Sequence, residues 1–182
     1  GCDGIIIDLR GNGGGWMGIA IQMANEFVRK GDMIVYTEGK NHPKVVEYAN
    51  GQGNFMETPL VVLTDETSAS ASEIFAGTIQ DNDRGTIIGR RTFGKGLVQQ
   101  PFEFSDGSAV RLTIARYYTP SGRCIQKPYT KGDNEEYAMD IVNRYERGEF
   151  FSQDSIHQNA SQCAHSQTGQ ADSDCTYGNL DC

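Results

Sequence analysis

The sequence predicts an α/β protein, and three observations support that prediction. Apolar runs bounded by glycine, proline or charged residues indicate buried strands at 4–10, 59–64 and 84–89. Apolar residues at helical spacing follow the first two runs. Strands that alternate with helices favour parallel pairing through right-handed crossovers, so we expect the helices to be layered against a parallel sheet.

Composition narrows the classes of partner. The chain has 182 residues, enough for one domain with a sizeable core, and its formal net charge is −8. Without a basic stripe to neutralise phosphates, we expect neither nucleic acid nor an anionic membrane surface as a partner. No apolar run approaches the roughly 20 residues that a membrane helix needs.

The first strand is followed by the glycine loop 11–15 and then by a predicted helix at 16–29. Ile19, Met23 and Phe27 recur at helical spacing and are expected on one face of it. The loop lacks the Gly-Lys-Ser/Thr of a phosphate-binding loop, so we reject that function for it. Short strands are predicted at 33–37 and 45–48.

The serine-rich turn at 67–73 is the most informative stretch. A helix predicted to begin near Ser72 would aim the unpaired N–H groups of its first turn, and the positive end of its dipole, toward Ser70. Negative charge that develops beside that hydroxyl would be stabilised there. The sequence therefore makes Ser70 a candidate nucleophile, although such a string is also typical of a simple helix cap.

A serine nucleophile needs a base, and Lys95 is the best candidate. The three histidines lie in polar segments, whereas Lys95 is flanked by Gly94 and Gly96 and precedes an apolar pair. An amine in such a cradle can be desolvated, which lowers its pKa, and Ser-Lys pairs are a known variant of the catalytic triad. Gln99 is expected on the same strand face, where it could orient the amine. A glycine-flanked lysine in a solvated turn is the alternative.

These motifs resemble a known family. The quoted residues are Asp-Leu-Arg-Gly-Asn-Gly-Gly-Gly from residue 8, Ser-Ala-Ser-Glu-Ile-Phe-Ala-Gly from residue 70 and Phe-Gly-Lys-Gly from residue 93. The pattern from about residue 4 to about residue 126 resembles the carboxyl-terminal processing proteases, also called tail-specific proteases, of peptidase family S41. That resemblance implies a crotonase-like core of repeated β-β-α units, within a fragment of a larger protease.

The resemblance also implies roles for residues. Ser70 would be the nucleophile, Lys95 the general base and Gln99 the third member of the triad. The oxyanion hole would use the N–H of Gly14 or Gly15 together with that of Ala71, because glycine lets the backbone approach the reacting carbonyl. For Asp81 we expect structural support, since eleven residues, about three helical turns, separate it from Ser70.

Residues 98–104 and 109–115 predict a hairpin around Asp-Gly, and 129–151 predicts a peripheral helix. We divide the chain into a catalytic core at 1–156, which begins mid-fold, and a tail at 157–182 that is disordered or unrelated to the family. The resemblance leads us to expect an upstream PDZ-type domain in the parent protein.

The predicted function is that of a serine endopeptidase that cuts protein or peptide substrates with apolar C-termini near those ends. The five cysteines have no metal-ligand spacing, so no metal is expected, and the resemblance implies no organic cofactor. The resemblance suggests the cell envelope, in a bacterium the periplasm. Two alternatives remain: a non-catalytic crotonase-like ligand-binding module, and a crotonase-type enzyme that processes acyl-CoA.

Overall fold

A computed structural model describes residues 2–128, 134–151 and 155–157. Of the predicted tail at 157–182, residue 157 is described, as the last residue of a strand, and residues 158–182 lie outside the described residues. The helices and strands are, in chain order, β1 (Ile5–Asp8), α1 (Met17–Asn25), β2 (Met33–Gly39), β3 (His42–Tyr48), β4 (Leu60–Thr64), α2 (Ala71–Asp81), β5 (Thr86–Gly89), β6 (Leu97–Glu103), β7 (Ala109–Tyr118), α3 (Asn134–Glu146) and β8 (Ser155–His157).

The first sheet has the order β1-β4-β5-β8, and its first three strands are parallel. Ile5 of β1 is paired with Leu60 of β4, and Val61 of β4 with Thr86 of β5. Helices α1 and α2 lie in the crossovers that make this parallel pairing possible. The α/β class predicted from the alternation of strands and helices is confirmed.

The second sheet is antiparallel and has the order β3-β2-β7-β6. It contains the hairpin predicted around Asp106-Gly107, as β6 and β7. Tyr36 of β2 and Tyr118 of β7 are cross-strand partners, and their rings stack with centroids 4.8 Å apart. The chain after α2 therefore first adds β5 to the parallel sheet and then enters the antiparallel sheet with β6 and β7.

Helix α2 is the centre of the core. All its residues from Ser72 to Gln80 are buried, and it contacts α1, strand β2 of the second sheet and strand β5 of the first. Because no side of this helix faces water, its polar groups need internal partners. Thr78, for example, donates its hydroxyl to the carbonyl oxygens of Ile34 and Ile74, at 2.8 and 2.7 Å.

The structure ends α1 before Phe27, which is 6% exposed, and it corrects the predicted burial of β1. In α1 the buried residues are Ala20 and Ala24, whereas Ile19 and Met23 are 55% and 37% exposed. Small side chains allow α1 to pack closely on α2, which leaves the larger ones outside that contact. Strand β1 was expected to be buried on both faces, but Ile6 is 70% exposed because β1 is an edge strand whose outer face no described element covers.

Gly89 at the end of β5 gives a test of the parallel pairing. Its φ is +140°, and a Cβ there would lie 1.9 Å from the carbonyl oxygen of Thr64 on β4. We expect Gly89→Ala to lower the free energy of unfolding by on the order of 3 kcal/mol, measured by urea denaturation, from strain and overpacking together.

Gly107→Ala is the matched control, because Gly107 has a φ of +84° but no atom within 4 Å of the added Cβ. Gly107→Ala should lower the free energy of unfolding by only about 1 kcal/mol, because it adds conformational strain without overpacking. Equal losses in the two variants would contradict the close packing of β5 on β4.

Candidate active site

Three loops meet at one edge of the parallel sheet. The glycine loop 11–15 follows β1, the serine turn 65–70 follows β4, and the lysine loop 90–96 follows β5. Since the strand order is β1-β4-β5, the serine turn lies between the other two loops. The crevice beyond the carboxyl ends of parallel strands is where α/β folds bind their ligands.

Ser70 has an unusual backbone conformation. Its φ is 58° and its ψ −117°, and only one other non-glycine residue among those described, Asp83, has a positive φ. Holding a residue with a side chain in such a region costs about 1–3 kcal/mol and is typical of functional sites. A sharp turn from strand to helix is also the geometry that presents a serine nucleophile in hydrolases.

Glu73 ties the serine turn to the lysine loop. Its side chain is buried, and one carboxylate oxygen accepts the N–H groups of Ser70 and Lys95, both at 2.8 Å. The other oxygen accepts the hydroxyl of Thr92 and the N–H of Gly94, both at 2.6 Å. A further bond runs directly between the loops, from the N–H of Phe93 to the carbonyl of Ser68 at 2.9 Å.

The protonation of Glu73 is set by opposing effects. Burial raises its pKa above the ordinary value, while the hydrogen bonds from Thr92, Lys95, Gly94 and Ser70 favour the ionised form and limit that rise. Four donors on two oxygens match a carboxylate, which is acceptor-only when ionised. Its place in the first turn of α2 favours negative charge as well.

The glycine loop lies directly against the serine turn. Gly14 has a φ of +87°, and a Cβ there would come within 2.3 Å of the carbonyl oxygen of Ala69 and 2.7 Å of the nitrogen of Ala71. Only glycine fits this contact. The N–H of Gly14 donates to the side-chain oxygen of Asn12 at 2.9 Å, whereas the N–H groups of Gly15 and Ala71 have no hydrogen-bond partner within the described residues.

Asp65 also joins the glycine loop to the serine turn. Its carboxylate accepts the N–H groups of Gly11, Thr67 and Ser68 and the hydroxyl of Thr67. Partial burial works to raise the pKa of Asp65, but the bonds from Thr67, Gly11 and Ser68 outweigh it and hold the pKa below its usual value. Ser68 adds a bond from its hydroxyl to the carbonyl of Leu9 at 2.7 Å.

The side chain of Lys95 is exposed, contrary to the predicted desolvation. Its neighbours Gly94 and Gly96 are buried, so the backbone of the loop is buried on both sides of Lys95 while its side chain is exposed. Within the described residues, no hydrogen bond joins the Lys95 amine to Ser70 or to Gln99. Lys95 precedes β6, and the ladder is irregular between Val98 and Gln99, so alternation along a strand does not relate Lys95 to Gln99.

Asp81 lies at the end of α2 with a fully buried side chain. It accepts the N–H and the hydroxyl of Ser121, at 3.0 and 2.6 Å, and pairs with the guanidinium of Arg123. These contacts join α2 to the turn that follows β7. They are contacts of the kind that structural support requires, and none reaches Ser70.

An apolar cavity of about 320 Å³ opens beside the serine turn. One side is formed by Gly14, Gly15 and Ala71, and the apolar part of its lining includes Trp16, Ile19, Met23 and Phe75. Trp16 is 86% exposed. Sequence reasoning placed Ile19 and Met23 on one face of the helix but did not predict that this face lines a cavity.

The described residues contain neither a cluster of metal-ligating side chains nor a membrane-spanning helix. No group of three or more histidine, cysteine or acidic side chains there could hold a metal ion. No helix of that part of the chain is both long and apolar enough to cross a bilayer.

Comparison with curated proteins gives consistent matches. The chain is 45% identical over 127 residues to a carboxyl-terminal-processing protease of Synechocystis, covering 70% of this chain and 29% of that protein. It is 40% identical over 157 residues to carboxy-terminal processing protease CtpA of Bacillus subtilis, covering 82% and 34%. A chloroplastic C-terminal processing peptidase of Tetradesmus obliquus is 42% identical over 127 residues, covering 70% and 27%. The chain thus spans about a third of the length of these relatives.

A solved structure agrees with these matches. The photosystem II D1 C-terminal processing protease aligns with a TM-score of 0.65 and 42% identity, over 68% of this chain and 32% of that one. Residues 1–135 match the model of peptidase family S41. The matched region contains all three loops described above and ends just after the start of α3. The chain therefore belongs to peptidase family S41, as its sequence motifs predicted.

Proposed function

We propose that this chain carries the catalytic site of a serine endopeptidase that cuts proteins near their C-termini, with Ser70 as nucleophile, Lys95 as base and Gln99 as its orienting partner. One observation carries the proposal: Ser70 sits on a strained turn between the glycine and lysine loops, with unengaged N–H donors beside it. The proposal concerns the complete protein that contains this sequence.

In the proposed reaction, the Ser70 oxygen attacks the carbonyl carbon of the scissile peptide bond while Lys95 takes its proton. The tetrahedral oxyanion receives hydrogen bonds from the N–H groups of Gly15 and Ala71, which are the available donors on the two loops. Lys95 then gives the proton to the leaving amine, and an acyl-enzyme forms on Ser70. Lys95 then takes a proton from water as the water oxygen attacks the ester carbonyl, and it returns that proton to the Ser70 oxygen as the carboxylic acid product leaves.

Lys95 needs a change of environment to act as the base. Its amine is exposed in this structure, and removal of water disfavours the charged form of an amine. We propose that a bound substrate covers Lys95 and brings it within reach of Ser70, since catalytic hydrogen bonds often tighten only in the complex.

The cavity beside Ala71 supports the proposed preference for apolar residues. It shares Gly15 and Ala71 with the proposed oxyanion hole, so a peptide whose carbonyl is held there would direct a neighbouring side chain into it. Its lining by Trp16, Ile19 and Met23 favours an apolar side chain next to the cut bond. Protein or peptide substrates with apolar C-termini are thus the proposed partners.

The cell envelope is the proposed location, and the periplasm if the source is a bacterium. The relatives include bacterial proteins and a chloroplastic one. The two alternatives, a ligand-binding module and an acyl-CoA enzyme, receive less support because family S41 is a peptidase family.

Ser70→Ala and Ser70→Gly distinguish the role of the hydroxyl in catalysis from the effect of the strained backbone on stability. In the complete protein both variants should lose at least about 10³-fold in kcat/KM on a peptide with an apolar C-terminus, because both lack the nucleophile. Ser70→Gly should nevertheless be more stable than Ser70→Ala by about 1 kcal/mol in urea denaturation, since glycine tolerates a φ of 58°.

Mass spectrometry of the products locates the cut, and Lys95→Ala serves as a second inactive variant. Cleavage by Ser70→Ala at the rate of the parent would refute the assignment of the nucleophile. Equal stability of the two Ser70 variants would instead contradict the strained turn alone.

Met23→Glu tests the cavity. Met23 lines it and is 37% exposed, so the substitution should be tolerated while it places a charge among apolar groups. We expect kcat/KM to fall by about 10–100-fold for a substrate with leucine before the cut bond, and less for one with lysine there. Met139→Glu, on an exposed residue of α3, is the control and should leave the ratio of the two substrates unchanged.

Glu73→Gln tests the tie between the serine turn and the lysine loop. The amide keeps the size of the carboxylate but presents an NH2 group to two of the four donors. We expect kcat to fall by about 10²-fold or more, with stability lowered by about 2 kcal/mol. Glu57→Gln, on a side chain that is 81% exposed, is the control, and an equal loss of kcat in it would argue against the tie.

A further inference from the structure

Helix α3 contributes a fully buried arginine to the lysine loop. Arg144 is 0% exposed, and its guanidinium donates to the carbonyl oxygens of Arg91 at 2.6 Å and Thr92 at 3.2 Å. Its Nε donates to the carboxylate of Glu149 at 2.9 Å. The planar fork of an arginine can bind two successive carbonyls and a carboxylate at once, which a lysine cannot.

The same segment is thus held by two opposite charges. Arg144 binds carbonyl oxygens of Arg91 and Thr92, while Glu73 binds the hydroxyl of Thr92 and the N–H groups of Gly94 and Lys95. Arg144, a cation, therefore binds carbonyl acceptors of the loop, and Glu73, an anion, binds its hydroxyl and N–H donors. Thr92 is shared by both and lies three residues before Lys95.

A second contact of α3 reaches the loop through Lys127. The side chain of Lys127 is nearly buried and donates to Asp140 and to the carbonyl of Tyr137, both at 3.2 Å. Its backbone N–H donates to the carbonyl of Gly94 at 3.0 Å. Residues 137, 140 and 144 are spaced by three and four along α3. Arg144 binds the lysine loop directly, whereas Tyr137 and Asp140 act on it through Lys127.

We propose that α3 positions the lysine loop, and that Arg144 is a positioning residue for Lys95. The inference rests on the proposed function for its kinetic consequence, while the structural part can be tested without activity. Arg144 and Asp140 lie beyond the region that matches the family model, which ends at residue 135, whereas Lys127 lies within it. The loop that carries the candidate base therefore depends on an element outside the matched core.

Arg144→Lys is the test, made in the complete protein. Hydrogen–deuterium exchange at the amides of Gly94 and Lys95 reports on the loop, because both amides donate to Glu73. We expect their exchange to speed up by about tenfold, and kcat to fall by a similar factor with KM within about twofold of the parent. KM should change little because Arg144→Lys does not alter the cavity or the N–H groups of Gly15 and Ala71.

Arg147→Lys is the matched control. Arg147 also donates to Glu149, at 3.1 Å, but it is 57% exposed and makes no contact with Arg91 or Thr92. It should leave both the exchange of Gly94 and Lys95 and kcat unchanged. Exchange at the parent rate in Arg144→Lys would overturn the proposal, and so would faster exchange with an unchanged kcat.

Asp140→Asn keeps the proposal testable if Arg144→Lys does not fold. It weakens the anchor of Lys127 and should speed exchange at Gly94 by a smaller factor, about threefold. Exchange at the parent rate there would count against the role of α3. If Ser70→Ala cuts peptides as fast as the parent, the proposed function fails, whereas the exchange data still decide whether α3 holds the loop.

Discussion

The buried carboxylate of Glu73 is the interaction on which the candidate site depends. Its two oxygens receive backbone or side-chain donors from both the serine turn and the lysine loop. Burying a carboxylate is costly, and the cost is offset only because every donor is supplied by the protein. The same interaction therefore fixes the relative position of Ser70 and of the loop that carries Lys95.

This constraint also explains how the turn at Ser70 can be strained. The strained φ of Ser70 is held by the bond from its own N–H to Glu73 and by the contact of Ala69 and Ala71 with Gly14. A glycine at position 70 would adopt this conformation more easily. The serine at that point serves the fold through its side chain, which caps the first turn of α2 in a capping box with Glu73, and in the proposed function the same hydroxyl is the nucleophile.

Local pattern was enough for most strands and turns of this fold, but not for β8, which no apolar run or turn signal marked, nor for the surfaces of its helices. β4, β5 and the hairpin of β6 and β7 follow from apolar runs and turn residues. The outward face of α1 could not be predicted, because the spacing of Ile19 and Met23 indicates a shared apolar surface without telling a core from a cavity. The alanines that pack on α2 have a weaker hydrophobic signal than the side chains that line the cavity.

Some features of the candidate site could likewise be predicted from the sequence, and others could not. Ser70, Lys95 and the glycine loop stand out in the sequence, while the bond that engages the N–H of Gly14 and the exposure of Lys95 arise from three-dimensional contacts. Glu73 could have been found, since a serine followed three residues later by glutamate is the spacing of a capping box. Arg144 could not, because nothing in a peripheral helix identifies the loop that its side chain reaches.

In the proposed mechanism, the exposed Lys95 must lose water before it can act as a base, and the preference for apolar substrates can supply that desolvation. The apolar side chains at the cavity, Trp16 and Ile19 among them, are exposed and would be removed from water by an apolar peptide. A peptide held there with its carbonyl on Gly15 and Ala71 also excludes water from the crevice between the three loops. Binding energy from the apolar residues then contributes to desolvation of the base, so a substrate without them would lose kcat as well as affinity.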